Sequence, residues 1–275
     1  AGFTPTGTTA LLTDLIPSNQ RGRAMGISGT FISLGFGVGQ FSGSWIESTF
    51  GMDALFIISG FTALISGFLL IKVEETLKDP QKFDGSQLKV RWNDVIEPSV
   101  VPAAVVMVLT ASCTGMIFVL APDISGFLGI ENKGFFFGFY VVSTIFVRLF
   151  TSSLSDRIGR RETMLIGASL LFMAMILLSR VNSYESFVFA AIVFGLATGV
   201  SSPTLFAWTA DLSHIKRRGV GAGTLFIALE LGIMLGSYST ILTYDNTKAS
   251  IENVFLFGIL MSFLAIVYLI WHKIY

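Results

Sequence analysis

Eight stretches of 19 to 27 residues are apolar enough to cross a bilayer: 24–46, 53–72, 98–122, 134–154, 162–180, 184–210, 219–243 and 251–271. About 20 such residues span the hydrocarbon core. Lipid offers the backbone no hydrogen-bond partner, so each span must satisfy its own N–H and C=O groups, which selects the helix. The chain is therefore expected to be an all-α integral membrane protein. Only 13% of its residues are charged and its mean hydropathy is +0.73, against about 25% charged in soluble domains. Residues 1–13 read as the tail of a ninth span, and the start Ala1-Gly2-Phe3 reads as a chain entered within a helix.

The loops alternate in charge. One side carries Arg21 and Arg23, then Lys72, Lys78, Lys82, Lys89 and Arg91, then Arg157, Arg160 and Arg161, then Lys216, Arg217 and Arg218, then Lys273. That is 14 of the 18 basic residues, so this side is read as cytoplasmic. It includes the long polar stretch 73–97 and the C-terminus. Trp92, Val95 and Ile96 suggest a short amphipathic helix in that stretch, ending before Pro98. Trp45, Trp92, Tyr184, Tyr244, Trp271 and Tyr275 fall near span ends, as interfacial anchors do. A plasma (inner) membrane is the expected location.

A repeat with an offset of 197 residues underlies the spans. Asp14 and Leu15 recur as Asp211 and Leu212, Arg21-Gly22 as Arg218-Gly219, Gly26 as Gly223, Leu34-Gly35 as Leu231-Gly232, and Gly39 as Gly236. Eight of 26 positions match without a gap, where roughly two would match by chance. Long-period repeats are architectural. Six spans follow residue 98, whereas two and a part precede residue 73. The expected organisation is residues 1–72 as the remainder of one helical bundle, 73–97 as a linker, and 98–275 as a second, six-helix bundle. Parallel six-helix repeats are a transporter architecture.

Between the fourth and fifth spans lies Ser152-Ser153-Leu154-Ser155-Asp156-Arg157-Ile158-Gly159-Arg160-Arg161. It resembles the major facilitator superfamily signature G-x-x-x-D-[RK]-x-G-[RK]-[RK], with Ser152 in place of the first glycine. Span spacing, the central linker and the Asp-x6-Arg-Gly loops at 14–22 and 211–219 agree with that resemblance along the whole chain. It implies two pseudo-symmetric six-helix bundles, the first incomplete, with the chain running from the end of the fourth helix to the twelfth. It also implies that Asp156 latches the cytoplasmic side by facing the helix start around Gly22 to Gly26. Arg160 and Arg161 would pair with acids at helix ends, Asp14 and Asp211 being candidates. An acid contributes little to topology, so Asp156 calls for such a partner.

The stripe Gly35-x3-Gly39-x3-Gly43 suits close helix approach, as does Gly232-x3-Gly236. The first resembles the family's antiporter motif, but Gln40 stands where that motif has proline. Two charges fall inside spans. Arg148 is placed to snorkel or to pair with a gate acid. Glu230 lies near mid-bilayer, where an ionised carboxylate costs several kcal/mol unless paired or facing water. Its repeat mate is Ser33, so it is not shared architecture. Glu230 is therefore read as a proton carrier or substrate ligand, with Gln40 a second candidate. Ser202, Trp208, Tyr140 and Tyr238 are candidate cavity residues, and Asp123 a gate or surface residue. The 26 phenylalanines, Phe135-Phe136-Phe137 included, are read as mostly lipid-facing.

Several chemistries find no support. Cys113 is the single cysteine and reads as a packing residue; the only histidines are His214 and His272. No metal spacing, nucleophile–histidine pair or ATP-binding motif is present, so neither an enzyme nor a primary pump is expected, and no cofactor. The zero net charge argues against nucleic acid. The leading expectation is secondary active transport of a small solute by alternating access, coupled to protons, by a monomer in the lipid bilayer. An uncoupled facilitator and a membrane sensor on the same fold remain open.

Overall fold

The computed structural model describes residues 21–71, 73, 95–151, 154–214 and 217–272. It contains no strand among the described residues, as expected where helices must satisfy the backbone internally. The chain divides into two compact units, Ala1–Lys89 and Val90–Tyr275.

The first unit holds α1, Arg21–Phe50, and α2, Met52–Leu70. The second holds α3, Val101–Phe127, α4, Phe135–Thr151, the short α5, Leu154–Ile158, α6, Arg160–Ser179, α7, Tyr184–Leu212, α8, Arg218–Thr243, and α9, Ile251–Trp271. Each apolar stretch coincides with a helix whose ends lie within five residues of those expected. Among the described residues, six helical segments are long and apolar enough to cross a membrane. The apolar part of α4, Phe135–Arg148, is shorter, and α1 is diluted by its glycines and serines.

The largest boundary difference is at α3, which runs five residues past the expected end at Pro122. Pro122 deletes one backbone donor, a loss tolerated in membrane helices. The helix stops where Ile130 N–H bonds to Ser125 O and Gly129 N–H to Gly126 O, a cap that draws on the positive φ of Gly129. At the other kind of end, Ser183 caps α7, exchanging hydrogen bonds with Ser186.

In the second unit α8 packs on α3, α7 on α6 and α4, and α9 on α6 and α3. The α3–α8 contact is the tightest. A Cβ on Gly232 would lie 2.6 Å from Val108 O, and one on Gly236 would overlap Ser112 O. Ser237 Oγ adds a hydrogen bond to Gly115 O at 3.2 Å. Small residues thus let two backbones touch, the way membrane helices associate without a hydrophobic driving force. In the first unit a Cβ on Gly43 would meet Leu55 Cδ1 at 3.6 Å, while one on Gly35 or Gly39 would have nothing within 4 Å among the described residues.

Among the described residues eleven phenylalanines are exposed, in keeping with their reading as mostly lipid-facing, but part of the Phe135-Phe136-Phe137 run departs from it. Phe136 and Phe137 are buried, as are Phe187, Phe194 and Phe255. Phe136 packs against the Phe187 and Phe194 rings at 5.2 and 6.0 Å. Lipid and a bundle interior select the same apolar residues, so a phenylalanine run carries no signal of which one it faces. Trp208, a candidate cavity residue, is also in the core, 2% exposed among Val100, Met107, Met164, Leu225 and Leu269.

Candidate functional site

The arginines and acids of the signature loop and its neighbours lie at the end of the second unit where α6 and α8 begin and α7 and α9 finish; Arg180 and Glu252 pair at the opposite end. Gly159 separates α5 from α6 with φ +99°, a conformation that costs other residues dearly. This turn sets Arg160 and Arg161 at the first two positions of α6, pointing to different neighbours.

Arg160 is the hub. Its Nε donates to Asp211 Oδ2 at 2.8 Å, and its Nη1 to Asp156 Oδ1 at 2.5 Å and Ser155 Oγ at 2.6 Å. The guanidinium thereby ties the α5 turn to the end of α7. The acids are more exposed than the arginine, 63% and 56% against 22%, so solvent weakens each pair. A double-mutant cycle on Arg160→Ala and Asp211→Asn is expected to give a coupling of about 1 kcal/mol, read from thermal unfolding in detergent. Strict additivity would mean the contact carries nothing.

Arg161 turns away from the acids of α5 and α7. Its Nε donates to Leu269 O and its Nη2 to Ile270 O, both at 2.8 Å; Glu162 lies 3.9 Å off. These carbonyls belong to the last turn of α9, where helical acceptors lack their own donors and a cation suits the dipole. Arg161→Ala is expected to speed amide exchange at residues 268–272 about tenfold, leaving the Arg160–Asp211 contact intact. Unchanged exchange there would remove this role.

The remaining motif residues lie as follows. Arg157 is exposed on α5. Arg218 and Gly219 open α8 and are exposed. Asp14 and Ser152 lie outside the described residues, and Arg21 and Gly22 fall in the first turn of α1. Within its own unit Asp156 answers Arg160.

A pair not anticipated from sequence sits at the same end. Arg217 Nε contacts Glu97 Oε2 at 2.6 Å, with the Glu97 side chain only 9% exposed. The signal lay at the polar-to-apolar junction, an acid directly before a helix-opening proline.

Glu230 is the thirteenth of 26 residues in α8. It stands on the exposed face with Ile227, Leu231, Met234 and Tyr238, opposite the glycine face buried on α3. Among the described residues it has no hydrogen-bond or ion-pair partner. The bundle thus does not bury it, and its surroundings on α8 are apolar side chains. Gln40 is exposed on α1. Tyr140 packs on Phe194 at 5.4 Å, Ser202 is half-buried, and Asp123 is exposed on the last turns of α3. Arg148 is half-buried on α4. No metal-binding cluster occurs among the described residues.

A family model described as Major Facilitator Superfamily matches residues 1–139 and 103–274. The uncharacterized MFS-type transporter MJ1560 of Methanocaldococcus jannaschii is 20% identical over 234 residues. That alignment covers 82% of this chain, which spans 60% of the length of the relative.

Proposed function

Because the chain belongs to the Major Facilitator Superfamily, we propose that it is part of a secondary active transporter moving a small solute by alternating access, coupled to protons through Glu230. A multi-pass membrane protein of this family is built for transport; the coupling is the added step. The observation that carries it is the placement of Glu230, halfway along α8 on an exposed apolar face without a partner. A carboxylate at mid-bilayer is tolerated when it is neutralised or faces water. A group that can do either, according to which side is open, is a proton carrier, and its Oε atoms can also receive a cationic or hydroxylated solute.

The Asp156–Arg160–Asp211 network is the gate side of this scheme, on the cytoplasmic face with the linker and the C-terminus. In this reading residues 98–275 supply one helical bundle and residues 1–72 part of another. Gly35, Gly39 and Gly43 offer α1 a small-residue stripe for a neighbouring helix, and Gln40 a second polar contact for solute. The transporter works as a monomer in the plasma membrane.

Sealed proteoliposomes with a trapped pH dye test the proposal across a panel of small solutes. Proton movement elicited by a solute supports it. Solute flux without proton movement is the result for a facilitator, and binding with neither is the result for a sensor.

A further inference from the structure

The residues that enter α3 are fastened to the start of α8. Glu97 is extended, φ −97° and ψ 105°, and immediately precedes the turn Pro98–Val100 that leads into α3. Its backbone N–H donates to Thr224 Oγ1 at 2.9 Å. One oxygen of its carboxylate forms an ion pair with Arg217 Nε at 2.6 Å, without hydrogen-bond alignment, and the other accepts from the Ser99 hydroxyl at 2.9 Å. Arg217 Nη2 also donates to Ile96 O at 3.3 Å. Arg217 is the N-cap of α8, and the Thr224 hydroxyl donates onward to Val220 O at 2.9 Å. Glu97, just before the turn into α3, therefore meets both the residue that precedes α8 and a hydroxyl of its first turns.

Only the Glu97 side of this pair is buried, 9% exposed against 39% for Arg217; such a pair adds little net stability, but removing the arginine leaves a buried carboxylate without its charge partner. Its value lies in fixing which surfaces meet. The same two helices stay in backbone contact further along, through Gly115, Gly232 and Gly236. We propose that Glu97 and Arg217 form a clasp that makes the starts of α3 and α8 one mechanical body, so that displacement of residues 95–97 moves both helices together. This clasp would make α3 and α8, the helix that bears Glu230, change position as one during transport. That last role rests on the alternating-access reading; the clasp does not.

Hydrogen exchange of the full chain in lipid nanodiscs tests it without any transport assay. Glu97→Gln is expected to lower protection about tenfold in residues 98–107 and 218–228 together, with 160–170 unchanged. Arg217→Gln should do the same, and the double variant should be no worse than the more affected single. Should Glu97→Gln fail to fold, Thr224→Val removes the amide's acceptor without touching a charge and should loosen the same two segments. Loosening of only one segment, or single effects that simply add in the double variant, would overturn the clasp.

Discussion

Gly236→Leu is expected to abolish the folded second unit, and Gly236→Ala to destabilise it by about 3 kcal/mol. The reason is geometric. The nearest atoms to a new Cβ are the carbonyl, C and Cα of Ser112, all backbone of α3, so no side chain can rotate aside. Ser112 itself is fully buried, and α3 cannot retreat without opening the contacts at Gly232 and Gly115. Alanine gains helix propensity over glycine by up to about 1 kcal/mol, which does not offset separating two packed helices. Gly126→Ala is the control: the position has nothing within 4 Å and should be neutral or slightly stabilising. Reversible unfolding in mixed micelles reads both. A Gly236→Ala variant as stable as the parent would mean that α3 and α8 do not meet there.

Glu230→Gln is expected to remove solute accumulation against a gradient while keeping downhill exchange within a few-fold of the parent. Glutamine keeps the size and most of the hydrogen-bonding capacity of the carboxyl group, yet cannot take up or release a proton. Accumulation needs the proton to travel with or against the solute; exchange needs only the carrier to change sides. The two rates therefore separate coupling from binding. Loss of both together would recast Glu230 as a solute ligand, and loss of neither would take it out of the mechanism.

How legible was this in the sequence? The helices were, because a lipid-exposed backbone leaves one solution per apolar stretch. The tight turn at Gly159 was as well, since its φ of +99° suits glycine. What faces what was harder. Phe136 and Phe135 are neighbours of the same type, yet only Phe136 is fully buried, because the solvent on one side of a membrane helix is as apolar as the protein on the other. Arg161 was read as seeking an acid, while it binds two carbonyls more than a hundred residues away, acceptors that every residue carries and no motif marks. Glu97 was hidden by company. In a stretch rich in Lys, Glu and Asp it looks like one more solvated charge, and only the partner 120 positions later gives it a place.

The proposed coupling of solute movement to protons is tested most directly by accumulation. Proteoliposomes holding the protein are given an imposed pH gradient and the solute identified by the dye assay, with and without a protonophore. Accumulation above the external concentration, collapsing when the protonophore is added, is the expected result. Equal concentrations inside and outside at steady state, with or without the gradient, would contradict it.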